Sequence, residues 1–232
     1  MAGIKPKCRV DTSWRPELAY AIGLITTDGN LSKDGRHIEL TSNDKDQLEN
    51  FLNCLKIKVK IGYKTSGYTH KKCTRVQFGD INFYRFLTSI GLMPNKTKVV
   101  GKLAIPNGYF FDFLRGHFDG DGTFYSYFDP RWRSSFMFYT VFLSASENHI
   151  LWIRDKMKSL VGINGHLDMD KKNKRRVYQL KYAKSESLVI LSKMYYNLNV
   201  ICLKRKRVKV EKALKQNTHN NARVLELEDR HA

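Results

Sequence analysis

Two apolar runs of helical length each end in Asp-Gly and lead directly into segments of alternating apolar and polar residues. The first is Leu18 to Leu31 and the second is Phe113 to Phe124. In the first, Leu18, Ala21, Ile22 and Ile25 recur at helical spacing, which predicts a helix to about Thr27 with a buried face, stopped by Gly29. Lys33-Asp34-Gly35-Arg36 predicts a hairpin turn between strands at 30–33 and 36–42. Leu48, Phe51, Leu52 and Leu55 then mark an amphipathic helix over 44–55, followed by strands at 58–64 and 74–78 and a helix over 82–90.

The order repeats after a Pro- and Gly-bearing stretch near 99–107: a helix over 109–120, a longer hairpin with strands at 124–128 and 136–144, and a helix over 148–161. Strands at 166–170 and 176–182 and a helix over 185–198 complete it. Each half reads α-β-β-α-β-β-α, so the fold class is α+β with an internal duplication. Leu40-Thr41-Ser42 aligns with Leu143-Ser144-Ala145 on this pattern. Residues 11–104 and 105–215 form the two halves, 1–10 a loose basic arm, and 216–232, without core-forming periodicity, a flexible tail.

Charge narrows the partner. The chain of 232 residues carries 41 Lys and Arg against 22 Asp and Glu, a formal net charge of +19. That excess points to a polyanion, with nucleic acid ahead of an anionic membrane. An aromatic content of 12% requires a packed core, so the charge decorates a folded body. Cys8, Cys54, Cys73 and Cys202 form no Cys-x-x-Cys pair, as expected of reduced residues in an intracellular protein. No apolar run spans a bilayer, and no secretory segment opens the sequence.

The Asp-Gly ends carry the candidate chemistry. A single Asp-Gly is an ordinary turn. A carboxylate at the negative end of a helix dipole is electrostatically misplaced, however, and here it occurs twice, at Asp28 and Asp121. Each has a glycine five residues earlier, Gly23 and Gly116, which allows two helices to approach closely. Two carboxylates emerging together repel unless a hard divalent cation joins them, with free helix-end carbonyls as further ligands. An open site of that kind suits hydrolysis of phosphodiesters. On the strands, Arg36, Glu39 and Thr41 in one half and Arg131, Arg133, Tyr139 and Thr140 in the other are candidate contacts to base edges. Lys171, Lys172, Lys174, Arg175 and Arg176 are candidate phosphate contacts.

Ala21-Ile22-Gly23-Leu24-Ile25-Thr26-Thr27-Asp28-Gly29 and Leu114-Arg115-Gly116-His117-Phe118-Asp119-Gly120-Asp121-Gly122 resemble the signature of LAGLIDADG homing endonucleases in their single-chain, two-motif form. The likeness extends over about 14–210, including the linking run from Gly91 through Lys96-Thr97 to Ile105-Pro106. It implies two central motif helices and saddle-shaped antiparallel sheets laid in the DNA major groove. It also implies Mg²⁺ (with Mn²⁺ or Ca²⁺ able to substitute for binding) held by Asp28, Asp121 and the main-chain carbonyls of Thr27 and Gly120. A lysine from each half, Lys96 or Lys98 and Lys206, would complete the site. Such proteins are intron-encoded, act on double-stranded DNA as monomers in this form, and leave short 3′ overhangs at long pseudo-palindromic targets. The runner-up is a non-cutting binder on the same scaffold, either a transcription regulator or a splicing maturase with intron RNA as partner. Arg115 and His117 depart from the motif's small or apolar residues, and solvent-facing positions are the simplest expectation for them.

Overall fold

The computed structural model describes residues 8–65, 72–170 and 176–229, with side chains of 133, 134, 170 and 221–229 left aside. Two helices, α1 (Pro16–Asp28) and α4 (Phe110–Gly120), lie in backbone contact at the centre. The first half continues through β1 (Gly29–Leu31), β2 (His37–Ser42), α2 (Lys45–Leu55), β3 (Gly62–Thr65), β4 (Lys72–Gly79) and α3 (Ile81–Ser89). The second continues through β5 (Thr123–Asp129), β6 (Trp132–Ser144), α5 (Glu147–Val161), β7 (His166–Asp170), β8 (Val177–Tyr182) and α6 (Lys184–Met194). Both sheets are antiparallel, in the orders β1-β2-β4-β3 and β5-β6-β8-β7. The duplicated α+β pattern expected from the sequence is present.

Alternation along the strands sorts their side chains. Ile38, Leu40, Val76 and Phe78 of the first sheet are buried, with Leu48 and Phe51 of α2 in the same core. Phe136, Phe138, Phe142 and Leu180 serve the second sheet, with Ile153 and Met157 of α5. The opposite faces are more exposed, although Glu39 and Val141 on them are buried. Asn30, Glu39 and Gln77 align across β1, β2 and β4, and Thr123, Val141 and Lys181 align in the same way across β5, β6 and β8.

That register corrects the internal alignment. Asn30 pairs with Glu39 and Thr123 with Val141, so Glu39 corresponds to Val141 and Ser42 to Ser144 rather than Ala145. The loops agree: Asp44 N donates to Ser42 Oγ and Ser146 N to Ser144 Oγ, both at 3.0 Å. A one-residue slip exchanges the faces of a strand. Thr140 accordingly faces the core, fully buried, and leaves the set of base-reading candidates.

Two terminal expectations are also corrected. Val10 is buried in the core, and the N–H groups of Arg9 and Val10 donate to Asp80 Oδ2 at 2.7 and 3.0 Å, so the arm is tied down before residue 11. A helix α7 (Lys204–Asp229) replaces the expected flexible tail. It packs on β5 and β6, burying Val210 and Ala213, with Asn217 also buried on the same element. Its composition is polar, and the few apolar positions that anchor it fall before the stretch read as a tail.

Arg115 and His117 are buried, contrary to the solvent-facing expectation. Arg115 is a clamp. Its guanidinium donates to Ile201 O at 2.9 Å, Met194 O at 2.7 Å and Asp112 Oδ1 at 2.8 Å. It thereby fixes the connection from α6 to α7 against α4. Removing one partner of a buried ion pair leaves an uncompensated charge, and Arg115→Ala is expected to cost about 3–5 kcal/mol. Chemical denaturation should show this loss, and the double substitution Arg115→Met with Asp112→Leu should lose less than Arg115→Ala alone.

Candidate metal and nucleic-acid site

Gly23 and Gly116 set the geometry. A Cβ on Gly116 would lie 2.0 Å from Tyr20 O, and one on Gly23 would lie 2.2 Å from Phe113 O. Any side chain at either position would separate α1 from α4. The contact continues to the helix ends, where a Cβ on Gly120 would meet Thr27 Oγ1 at 2.0 Å and Asp28 Oδ2 at 3.1 Å. Asp28 and Asp121 therefore emerge beside each other.

Each acid faces a hollow bordered by its own sheet. The hollow at Asp28, about 640 Å³, is lined by Thr41 and Cys73 of the open face together with Ser42, Gln47, Gly120 and Arg205. The hollow at Asp121, about 210 Å³, is lined by Leu143 and Val177 of the other open face, with Thr27, Thr97, His117 and His149. The open sheet faces thus run up to the two carboxylates.

Neither carboxylate has an ion pair among the described residues. Burial raises the Asp28 carboxyl above the ordinary aspartate value, against the opposing hydrogen bond from Gln47 and the charges of Lys206 and Lys96. Burial and then the charge of Asp28 push Asp121 up to about 6. The lysines nearest them spend their protons on carbonyls. Lys96, in the single turn Lys96–Lys98, donates to Gly29 O. Lys206 donates to Phe118 O, to Asp119 O at 2.9 Å, to Gly120 O at 3.3 Å and to Gly122 O at 2.7 Å. Gly29 and Gly122 follow the two motif acids, so the lysines are pseudo-equivalent. Burial lowers each to about 8, with nearby aspartates pulling the other way.

Lys98 does not join them. It is exposed and borders a separate hollow with Glu147, Asn148 and Arg176. Thr27 and Gly120 stand at the two helix ends beside the acids, as expected. Asp119, the other motif acid, is internal: its Oδ2 accepts from Tyr20 Oη at 2.8 Å and Leu203 N at 2.7 Å. That second bond sets the start of α7 and so the position of Lys206.

Gln47 was not singled out from the sequence. Its Nε2 donates to Asp28 Oδ2 at 2.6 Å, while its Oε1 accepts from Ser42 Oγ at 2.9 Å. The signal was legible, because Gln47 occupies a polar place on the buried stripe of α2. In the corrected alignment its counterpart is His149, whose Nδ1 lies 2.9 Å from Gly101 O and whose ring burial pushes down to about 4. The halves therefore hold their acids differently.

The open faces carry the base-reading candidates unequally. Glu39 lies under Lys64 and Arg75, at 2.6 and 2.8 Å. Burial pushes its carboxyl up, but these two cations more than offset it and hold it below its ordinary value. Thr41 and Tyr139 are on the open faces, whereas Arg36 and Arg131 are exposed in turns. Arg131 is paired to Asp129 at 3.0 Å. Arg133 lies on β6, with its side chain outside the described set; Lys171, Lys172, Lys174 and Arg175 also lie outside the described residues. Arg176 is exposed.

The donor set fits a hard cation: two adjacent carboxylates, both raised by burial and Asp121 further by the charge of Asp28, beside the carbonyl ends of two helices. No group of three or more His, Cys, Asp or Glu able to hold a metal occurs among the described residues, so carbonyls, water and phosphate would have to complete it.

Residues 15–91 match the family model of the LAGLIDADG-like domain. The sequence matches no curated protein. Among solved structures, the chain is similar to full-length DUF199/WhiA from Thermatoga maritima, at 16% identity and TM-score 0.54, covering 96% of this chain and 69% of that one. The I-LtrWI LAGLIDADG homing endonuclease bound to target DNA is 13% identical, with TM-score 0.55 and coverage of 93% and 97%. I-DmoI in complex with DNA and Mn is 12% identical, with TM-score 0.51 and coverage of 79% and 98%. At these identities the structural likeness carries the fold. The LAGLIDADG resemblance read from the two motifs is borne out at that level.

Proposed function

We propose that this chain, built on the LAGLIDADG fold that homing endonucleases and DUF199/WhiA share, is a divalent-metal-dependent, site-specific double-strand DNA endonuclease acting as a monomer. The observation that carries this reading is the pair of carboxylates, without an ion pair among the described residues, at two helix ends in backbone contact, each opening onto its own sheet face. One chain supplies both halves of the site, so no second copy is needed.

Asp28 and Asp121, with the carbonyls of Thr27 and Gly120, would hold the cation. Mg²⁺ is the expected ion; Mn²⁺ or Ca²⁺ would substitute for binding, as the Mn-bound I-DmoI structure suggests for a relative in fold. When bound, such an ion lowers the pKa of coordinated water and offsets charge developing on a phosphate. Gln47 orients the Asp28 carboxylate through its amide. Lys96 and Lys206 cap the helix-end carbonyls and direct positive potential at the same spot, where a phosphate would lie. Hydrolysis on both strands would leave short 3′ overhangs at a long, roughly pseudo-palindromic target.

A non-cutting regulator or RNA-binding maturase on the same scaffold would have no use for the acids; loss of either would have favoured that reading, and both are present. The test is incubation of a randomised duplex library with Mg²⁺, followed by sequencing of the ends. Discrete double-strand cuts at one extended sequence are expected. Selective duplex or RNA binding without cuts would replace the enzyme with the binder.

A further inference from the structure

The two open sheet faces differ in chemistry. That of the first sheet offers mainly hydrogen-bonding side chains, Asn30, His37, Thr41, Lys64, Arg75 and Gln77, around a buried Glu39 and beside Cys73. On the β5–β6 part of the second sheet the same face offers Tyr125, Tyr127, Met137 and Tyr139. Tyr125 and Tyr127 remain 43% and 40% exposed, a large aromatic surface for a chain of this charge.

The rings form a wall. Tyr125 and Tyr139 face each other across the strands, with centroids 5.3 Å apart and planes 16° apart. Tyr127 and Tyr139 are 6.3 Å apart and parallel to within 2°. Tyr125 and Tyr127 are 6.5 Å apart at 15°. Side chains stand roughly perpendicular to a sheet, so these near-parallel rings present edges and hydroxyls outward. Unpaired bases stack on aromatic faces, so the arrangement suits a duplex groove better than a single strand. In the major groove, the apolar group available to such edges is the thymine methyl.

Resting on the DNA-binding reading above, we propose that Tyr125, Tyr127 and Tyr139 determine specificity by packing on thymine methyl groups in one half of the target, the other half being read through hydrogen bonds. The position follows from strand geometry. Tyr125 and Tyr127 lie four and six residues beyond Asp121, on a strand rising about 3.3 Å per residue, or roughly 13–20 Å from the acid. At about 3.4 Å per base pair this places the methyl contacts roughly four to six pairs from the centre of the cut.

The experiment first enriches bound duplexes from a randomised library in Ca²⁺, then compares each enriched duplex with its copy carrying deoxyuridine for thymidine. The wild type should bind the copy more weakly by about fourfold for each contacted methyl. The triple variant Tyr125→Ala, Tyr127→Ala, Tyr139→Ala should lose that discrimination, and the triple Phe variant should keep it, since the ring edges remain. The Phe variant also guards against a folding defect. Enriched duplexes bound equally with and without the methyls, or discrimination retained by the Ala variant, would overturn the proposal while leaving DNA binding intact. If nothing is enriched, or a single strand competes more tightly than any duplex, the DNA-binding reading fails and the proposal with it.

Discussion

Asp28→Asn or Asp121→Asn should abolish cutting of both strands, by at least about a hundredfold each, without weakening DNA binding. The magnitude is that expected when a single preorganised charge or dipole is removed from a reaction centre. Both substitutions are nearly isosteric, and among the described residues neither carboxylate has an ion pair that would be lost. The side chains do meet different surroundings. At position 28 the new amide can turn its carbonyl oxygen toward the Gln47 amide that now donates to Asp28 Oδ2, so that hydrogen bond is kept. At position 121 no such partner occurs among the described residues, and the substitution is a cleaner removal of charge. Single-turnover cleavage and gel-shift binding on the same duplex separate the two effects. Loss of binding in parallel with cutting would mean that the acids shape the fold and do not serve the chemistry.

Gly116→Ala should be the most damaging single-methyl change in the chain. In a helix, Ala is intrinsically favoured over Gly by roughly 1 kcal/mol, so an unobstructed site would gain stability. Here the added carbon would stand 2.0 Å from a main-chain oxygen of the neighbouring helix, and main chain cannot rotate away. The helices must part, at an overpacking cost at the upper end of about 1–3 kcal/mol or beyond. Because both motif acids hang from the ends of these helices, the same shift misplaces them. An ångström of misplacement is worth about a hundredfold in rate. Gly23→Ala should behave alike, since its Cβ meets Phe113 O. Gly108→Ala, with nothing within 4 Å, is the control expected to be neutral. Thermal midpoints of the three variants check the order.

What the sequence revealed depended on whether a residue acts through its own segment or through a distant one. The duplicated order of elements and the close approach at Gly23 and Gly116 were readable, because periodicity and a repeated Gly-to-Asp spacing are local. Strand phase was not. Leu40 and Leu143 look equivalent by type, yet pairing shows that Leu143 corresponds to Thr41, and only cross-strand partners reveal the slip. Arg115 was misjudged for a similar reason: its partners, Met194 and Ile201, lie 79 and 86 residues away. The resemblance alone implies Lys206, and leaves Lys96 or Lys98 open for the other half. The short turn over Lys96–Lys98 decides between those two, burying the first and exposing the second. The helix α7 is hard to read because its buried apolar anchors, Val210 and Ala213, lie within one turn of each other in an otherwise polar run.

If the two motif carboxylates form one cation site, a bound divalent ion stabilises the folded chain, and both acids are needed for that stabilisation. A carboxyl raised from 3.8 to about 6, as Asp121 is, contributes stability below its unfolded value that is lost as pH rises through about 6. A bound cation offsets that loss only where the carboxyl is ionised. Buried His149, pushed down to about 4, adds stability over much of the same window, so the metal-free profile alone is not diagnostic. The difference with and without metal at fixed pH is. At pH 7.5, Mg²⁺ at a hundredfold excess over its Kd should stabilise the wild type by about 2.7 kcal/mol, roughly 5–10 °C in midpoint for a chain of this size. The shift should shrink at pH 5 and be absent in Asp28→Asn and Asp121→Asn. A wild type indifferent to Mg²⁺ and Mn²⁺ at pH 7.5, or variants that respond as fully as it does, would contradict the shared site.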